Sequence, residues 1–176
     1  ALIDKLNNNP KINGILVQLP LPKQINENEV LYAINPKKDV DGLTATSSII
    51  PATARGVLTL LDFYKISIAG KRVTVVGRSN LVGGPIALAM LNRGATVTIC
   101  HRQTKDLALA TKTAEILISA TGHPGLITFT EVSPRQVVVD VGLTIGADGK
   151  LVGDVDFTSV SKIVSAITPV PGGVGP

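Results

Sequence analysis

Val73-Thr74-Val75-Val76-Gly77-Arg78-Ser79-Asn80-Leu81-Val82-Gly83-Gly84-Pro85 is the stretch on which the reading of this chain turns. An unbroken run of β-branched residues has the look of a strand covered on both faces, as in a parallel sheet. The glycine-bearing turn after it leads into a helix predicted over about 83–93. The first N–H groups of such a helix lack intrahelical partners and carry partial positive charge, and glycine in the turn lets backbone approach a pyrophosphate. The turn departs from G-x-G-x-x-G, because Ser79 stands where the second glycine would be and Gly83 comes one residue late. A nucleotide site and a plain strand–turn–helix connection both fit this stretch.

Outward from it the same rhythm continues. Strands are predicted over 73–77, 95–100, 116–120 and 136–141, with a short helix near 106–112, a β-turn at Asp148-Gly149 and a further strand over 163–167. The fold class is α/β with a doubly wound parallel sheet. Upstream, Leu2, Ile3 and Leu6 share a helical face, and Ile15-Leu16-Val17-Gln18-Leu19 reads as a strand stopped by Pro20 and Pro22. Asn26 or Asn28 can cap a short helix through Glu29, Val30 and Ala33. Val57, Leu60, Leu61 and Tyr64 form the stripe of an amphipathic helix. The organisation expected is a partial lobe over 1–50, a connecting helix over 51–66 and a nucleotide-binding domain over 67–176.

Composition narrows the function classes. Of 176 residues, 44% are hydrophobic and 17% charged, so the chain is neither disordered nor fibrous. No apolar run approaches the roughly 18 residues of a membrane span. The formal charge is +4, with Lys and Arg scattered and little aromatic content, which argues for small anionic ligands over nucleic acid. One cysteine cannot close a disulfide framework, and no basic-then-apolar leader opens the sequence, so a reducing cytoplasm is expected.

The end of the second strand, Ile99-Cys100-His101-Arg102-Gln103-Thr104, bears on which nucleotide would bind. An NAD site wants an acid there for the ribose 2′-hydroxyl, and a 2′-phosphate wants a cation. Arg102 and His101 sit at that place, Arg78 can approach from the first turn, and the nearest acid, Asp106, lies beyond the strand end; NADP is expected over NAD. Cys100 reads as a buried thiol. Ala120-Thr121-Gly122-His123-Pro124 and Asp140-Val141-Gly142-Leu143 each follow an apolar strand, where contacts to a nucleotide or a simple turn are equally open. Asp39 and Asp41 flank Val40, so only one of them faces a given cleft if the loop is extended. That one could accept paired N–H groups from an amidine-like heterocycle edge, unless the loop is a solvated turn balancing Lys37 and Lys38. No His or Cys nearby completes a metal site.

Gly14-Ile15-Leu16-Val17-Gln18-Leu19-Pro20-Leu21-Pro22, Lys38-Asp39-Val40-Asp41-Gly42, Val76-Gly77-Arg78-Ser79 and Ile167-Thr168-Pro169-Val170-Pro171-Gly172-Gly173-Val174-Gly175-Pro176, in this order, closely resemble the bifunctional 5,10-methylenetetrahydrofolate dehydrogenase/5,10-methenyltetrahydrofolate cyclohydrolase family. The resemblance implies a Rossmann-like domain holding NADP and a smaller lobe, with folate between them. It implies oxidation of 5,10-methylenetetrahydrofolate and hydrolysis of the product to 10-formyltetrahydrofolate. It assigns catalytic roles to Asp41, which grips the pterin's amino edge, and to Gln18, which supports a catalytic lysine. Leu19, Pro171, Gly172, Gly173 and Gly175 would contact the folate. Gly77, Arg78, Ser79, His101, Arg102, Thr121, Gly122 and Leu143 would line the NADP side. A homodimer through the Rossmann domain follows from the same resemblance.

Three departures stand out. The family's Tyr-x-x-x-Lys is absent: Tyr32 leads to Pro36 and Tyr64 to Ile68. Pro51-Ala52-Thr53-Ala54-Arg55-Gly56 stands for Pro-Cys-Thr-Pro-x-Gly after a short linker over 43–51. The loop-rich end over 170–176 is expected to continue. The chain is therefore expected to be part of a longer polypeptide, inactive alone. A non-catalytic NADP-binding module is the alternative; an unrelated NADP-dependent amino- or keto-acid dehydrogenase would have no use for the Gln18 and Asp41 motifs.

Overall fold

A computed structural model describes residues 2–44 and 46–175, which group into two compact units, 1–52 and 53–176. The first unit holds α1 (Leu2–Asn8) and α2 (Glu27–Tyr32). Asn26, not Asn28, is the N-cap of α2: its side chain accepts from the N–H groups of Asn28 and Glu29. The strand expected over 15–19 does not form. Ile15 makes one isolated parallel bridge with Asp39, and both Leu16 and Gln18 are exposed. The run is apolar, but among the described residues this unit has no second strand to extend the ladder, and one bridge does not make a sheet.

The second unit is built on β1 (Arg72–Val76), β2 (Thr96–Cys100), β3 (Ile116–Ser119), β4 (Val137–Asp140) and a short strand, Ala166–Ile167, all parallel. Numbered in chain order after the hairpin β5 (Thr144–Ile145) and β6 (Leu151–Val152), that last strand is β7, and the sheet order is β2-β1-β3-β4-β7. Side chains alternate across the sheet as the pleat requires. Val73, Val75, Ile116, Ile118 and Val139 meet α3 (Ala52–Phe63) and α4 (Gly83–Asn92) on one face. Val76, Leu117 and Val138 pack on the other with Cys100, Ile127, Val155 and Val160, flanked by α5 (Leu107–Lys112) and α6 (Phe157–Val160). Helices on both faces make the sheet doubly wound.

Several boundaries differ from expectation. β1 ends at Val76, before Gly77 leaves the ladder at φ +112°. β7 is two residues long because Ile163 and Val164 belong to a turn, their N–H groups bonding back to Val160 O at 2.9 and 3.2 Å. The turn at Asp148-Gly149 joins β5 to β6, and α6 is capped by Asp156, whose carboxylate accepts from Ser159 N.

Candidate functional site

From β1 the chain crosses to β2 on one side and returns to β3 on the other, so the loops after β1 and β3 diverge at the carboxyl edge of the sheet. That is the switch point at which open α/β sheets bind ligands. The two loops touch. A Cβ at Gly77 would collide with the Ala120 carbonyl, and one at Gly83 with the Gly77 carbonyl. These glycines are thus demanded by close backbone packing of strand, turn and helix, beyond any need to admit a phosphate. Ser79 takes over a capping duty, its Oγ accepting from Val82 N at 3.1 Å and Gly83 N at 3.3 Å.

A cavity of about 860 Å³ opens here, lined by the ends of β1, β2 and β3. Of the residues singled out in the sequence it brings together Gly77, Arg78, Ser79, His101, Arg102 and Thr121; Gly122 and Leu143 lie outside its lining. Gly122 is exposed with φ +66° and its carbonyl accepts from Thr144 Oγ1, while the Leu143 side chain is exposed. Gln103, Thr104, His123 and Leu126 complete the wall. The β2 end is shaped by Thr104 Oγ1 accepting from His101 N at 2.9 Å and His101 Nδ1 accepting from Gln103 N at 3.2 Å.

Charge in this cavity is one-sided. Arg78 and Arg102 are exposed, and among the described residues neither guanidinium has an ion-pair partner. Asp106 is engaged elsewhere: it caps α5 by accepting from Leu109 N at 2.9 Å. The strand end therefore offers cations and no free acid, the donor set that suits a 2′-phosphate. Burial pushes the Cys100 thiol up, which leaves it a packed, unreactive side chain.

A second cavity, about 800 Å³, lies at the opposite end of the strands and includes Lys71, Arg72, Lys112, Glu115 and Arg135. Its cations are partly engaged: Lys71 pairs with Glu115 at 2.8 Å, and Arg72 Nε donates to the Thr113 carbonyl at 2.7 Å.

In the first unit the two aspartates divide their work. Asp39 is buried, and its carboxylate accepts from the N–H groups of Asp41 (3.1 Å), Gly42 (2.9 Å) and Thr44 (2.8 Å). Asp41 is half-buried, and among the described residues its carboxylate has no hydrogen-bond partner. Lys38 does not balance either acid; its ammonium donates to the Leu6, Asn7 and Asn9 carbonyls and closes the end of α1. Gly42, at φ +75°, has no room for a Cβ against the Ile49 carbonyl. Because Ile15 bridges Asp39 in parallel, Gln18 and Asp41 follow the same paired point three and two residues on. Gln18 itself is exposed, and its amide donates to the Leu19 carbonyl at 3.2 Å.

Burial alone would raise the Asp39 carboxyl, but N–H groups led by that of Thr44, then those of Gly42 and Asp41, hold it below the ordinary carboxylate range. A carboxyl depressed by folding stabilises the loop fully above its unfolded value and loses that contribution as pH falls through the lower folded value. In an NMR titration the Gly42 and Thr44 amides should report a midpoint below that of a peptide aspartate; a midpoint above it would contradict the assignment.

The 168–175 segment of the second unit is a tight turn, with Gly172 N donating to Gly175 O at 3.2 Å and Gly172 at φ +90°. Pro171, Gly172 and Gly175 are exposed and Gly173 is half-buried; a Cβ at Gly173 would meet the Pro169 carbonyl. Two buried acids nearby have roles that the sequence reading did not assign, although Asp140 opens one of the stretches it singled out. Asp140 and Asp154 are both buried, and Asp154 gathers Ser119 Oγ, Thr121 N and His123 N at 2.9, 2.7 and 2.9 Å. The available signal was an acid ending an apolar strand, Val137-Val138-Val139-Asp140, and a second acid after Gly153.

A five-stranded parallel sheet in this order, with an arginine-bearing cavity at its switch point, defines a dinucleotide-binding α/β fold. The family described as "Tetrahydrofolate dehydrogenase/cyclohydrolase, NAD(P)-binding domain" matches residues 51–176, and its catalytic domain matches residues 1–41. The chain belongs to the tetrahydrofolate dehydrogenase/cyclohydrolase family. It is 54% identical to the bifunctional protein FolD of Lactobacillus acidophilus over 99% of the chain, spanning 65% of that relative's length. Among solved structures it is similar to the bifunctional FolD enzyme of Campylobacter jejuni, with 46% identity and a TM-score of 0.92 over 98% of this chain and 65% of that one. It is also similar to the Trypanosoma brucei enzyme, which was solved with an NADP cofactor and an inhibitor: 38% identity and a TM-score of 0.87, covering 99% of this chain and 65% of that one.

Proposed function

We propose that this chain is part of an NADP-dependent enzyme that oxidises 5,10-methylenetetrahydrofolate to 5,10-methenyltetrahydrofolate and hydrolyses that product to 10-formyltetrahydrofolate. The observation that carries the reading is the switch-point cavity with two guanidiniums that have no ion-pair partner among the described residues, in a chain of the tetrahydrofolate dehydrogenase/cyclohydrolase family. Bound there, NADP+ supplies the hydride acceptor. Arg102 and Arg78 take its 2′-phosphate through planar, charge-assisted donors, with His101 and the 77–79 turn beside them and Thr121 on the far wall, while Gly122 and Leu143, outside the lining, meet the cofactor where it extends beyond this cavity. Asp41, whose carboxylate has no hydrogen-bond partner among the described residues, accepts from the amino edge of the pterin. Gln18 supports the lysine that the family resemblance implies outside this sequence. Leu19 and the loop bearing Pro171, Gly172, Gly173 and Gly175 contact the folate.

The domain assignment supported best is a substrate-binding part over 1–50, the helix over 51–66 and the NADP-binding part over 67–176. A homodimer through the latter is consistent with β2, which has a partner on one side only and leaves Ile99 exposed. No helix among the described residues is long and apolar enough to cross a membrane, and a cytoplasmic site of action suits the single buried cysteine. The test is to add 5,10-methylenetetrahydrofolate and NADP+ to the full-length protein that contains this chain and follow NADPH absorbance. Formation of NADPH followed by 10-formyltetrahydrofolate is the expected result; a folded protein that yields neither overturns the reading.

A further inference from the structure

Asp154 is completely shielded from solvent, and no cation pairs with it among the described residues. Its charge is met by neutral donors alone. One oxygen accepts from Ser119 Oγ at 2.9 Å and Thr121 N at 2.7 Å, and the other from His123 N at 2.9 Å. These three donors are the end of β3 and the loop that walls the switch-point cavity. A buried carboxylate with this many N–H and O–H donors is a strong organiser of backbone, since each charge-assisted bond outweighs a neutral one.

Asp154 is itself held by Asp140. The Asp140 carboxylate accepts from Gly142 N (2.9 Å), Asp154 N (3.0 Å) and Val155 N (2.9 Å), so it fixes the peptide that aims Asp154. The nesting leaves no slack: a Cβ at Gly142 would collide with the Asp154 carboxylate, and one at Gly153 with that of Asp140. Asp140 N also donates to Thr168 Oγ1 at 2.8 Å, which ties the start of the 168–175 loop to the same knot.

The arrangement has a chemical consequence at the cavity. Because the Thr121 and His123 N–H groups are drawn inward to the Asp154 carboxyl oxygens, they are not available to a ligand's phosphate. The loop then favours a part of the ligand that presents donors, and phosphate is left to the arginine side. We propose that Asp154, held by Asp140, is a positioning residue that sets the shape and polarity of the 121–123 loop and so the seat of the part of the dinucleotide that lies away from the 2′-phosphate. This inference rests on the NADP reading.

The experiment compares the chain with Asp154→Asn and Ser119→Ala, measuring NADP+ and NAD+ affinity by calorimetry and amide hydrogen exchange at Thr121 and His123. Asparagine keeps the shape but turns an N–H2 toward one of the donors. Asp154→Asn should lose exchange protection at Thr121 and His123, keep it at Gly77, and weaken both nucleotides by about 10-fold with their ratio unchanged, as expected for losing a charge-assisted contact. Ser119→Ala, which leaves the carboxylate intact, should weaken both by only about 2- to 3-fold and serves as the reading if the asparagine variant does not fold. Unaltered protection in Asp154→Asn, unaltered affinity despite lost protection, or unaltered affinity in Ser119→Ala overturns the inference. A parent chain that binds neither nucleotide overturns the NADP reading and the cofactor role of Asp154 with it, whereas normal binding by a variant with a loosened loop overturns the positioning role alone.

Discussion

Asp41→Ala in the full-length protein should raise the KM for the folate substrate by roughly 10- to 150-fold, the equivalent of about 1.5–3 kcal/mol for hydrogen bonds to a charged group. NADP affinity should stay within about twofold, because the substitution removes no group from the cofactor cavity. The reason for choosing Asp41 over Asp39 is structural. Asp39 already satisfies three backbone N–H groups, and its removal would leave the loop unfastened, with loss of stability as the main effect. On that fastened loop the Asp41 carboxylate has no partner among the described residues, which is the arrangement a ligand-binding acid needs. A folate KM that stays unchanged in Asp41→Ala would remove this residue from the site.

Arg102→Ala should narrow the preference for NADP+ over NAD+ by roughly 10- to 100-fold, nearly all of it through weaker NADP+ binding. The guanidinium is exposed at the end of β2 with no ion-pair partner among the described residues, so its loss costs the fold little. Arg78→Ala should act in the same direction, since its side chain lines the same cavity from the β1 turn. Dissociation constants for both nucleotides check the point. An equal loss for NADP+ and NAD+ would mean that Arg102 shapes the loop and does not read the extra phosphate.

The central strands are plain in the sequence because parallel strands are buried on both faces. Val73–Val76, Ile116–Ile118 and Val137–Val139 are continuous apolar or β-branched runs, and nothing else of that length fits a helix there. The same logic misleads at Ile15–Leu19, where a largely apolar run makes a single bridge, from Ile15 to Asp39, and goes no further because among the described residues no strand lies beside it to extend the ladder. Whether a run becomes a strand depends on a partner far away in sequence, which local pattern does not carry. β5, β6 and α6 escape for a simpler reason: elements of two to four residues are too short to show a period.

The site was legible to a similar depth. Alternation along Asp39-Val40-Asp41 says that the two acids differ, but which one is engaged is decided by Thr44 and Gly42 folding back over Asp39. Arg102 and His101 are visible at a strand end, and so is their place beside a 2′-phosphate once a dinucleotide fold is suspected. Asp154 is not. Its partners Ser119, Thr121 and His123 stand more than thirty residues upstream, and only the folded sheet brings β3 and the 153–155 segment together.

The central claim is that the dinucleotide occupies the carboxyl edge of the sheet between the β1, β2 and β3 loops. Titrating the isotope-labelled chain with NADP+ and following its amide resonances tests this most directly. The largest shifts should fall on Gly77, Ser79, Arg102 and Thr121, with Lys112, Glu115 and Gln136 at the opposite edge unmoved. Shifts concentrated on Lys112, Glu115 and Gln136, with the β1 turn silent, would place the ligand in the other cavity and contradict the account.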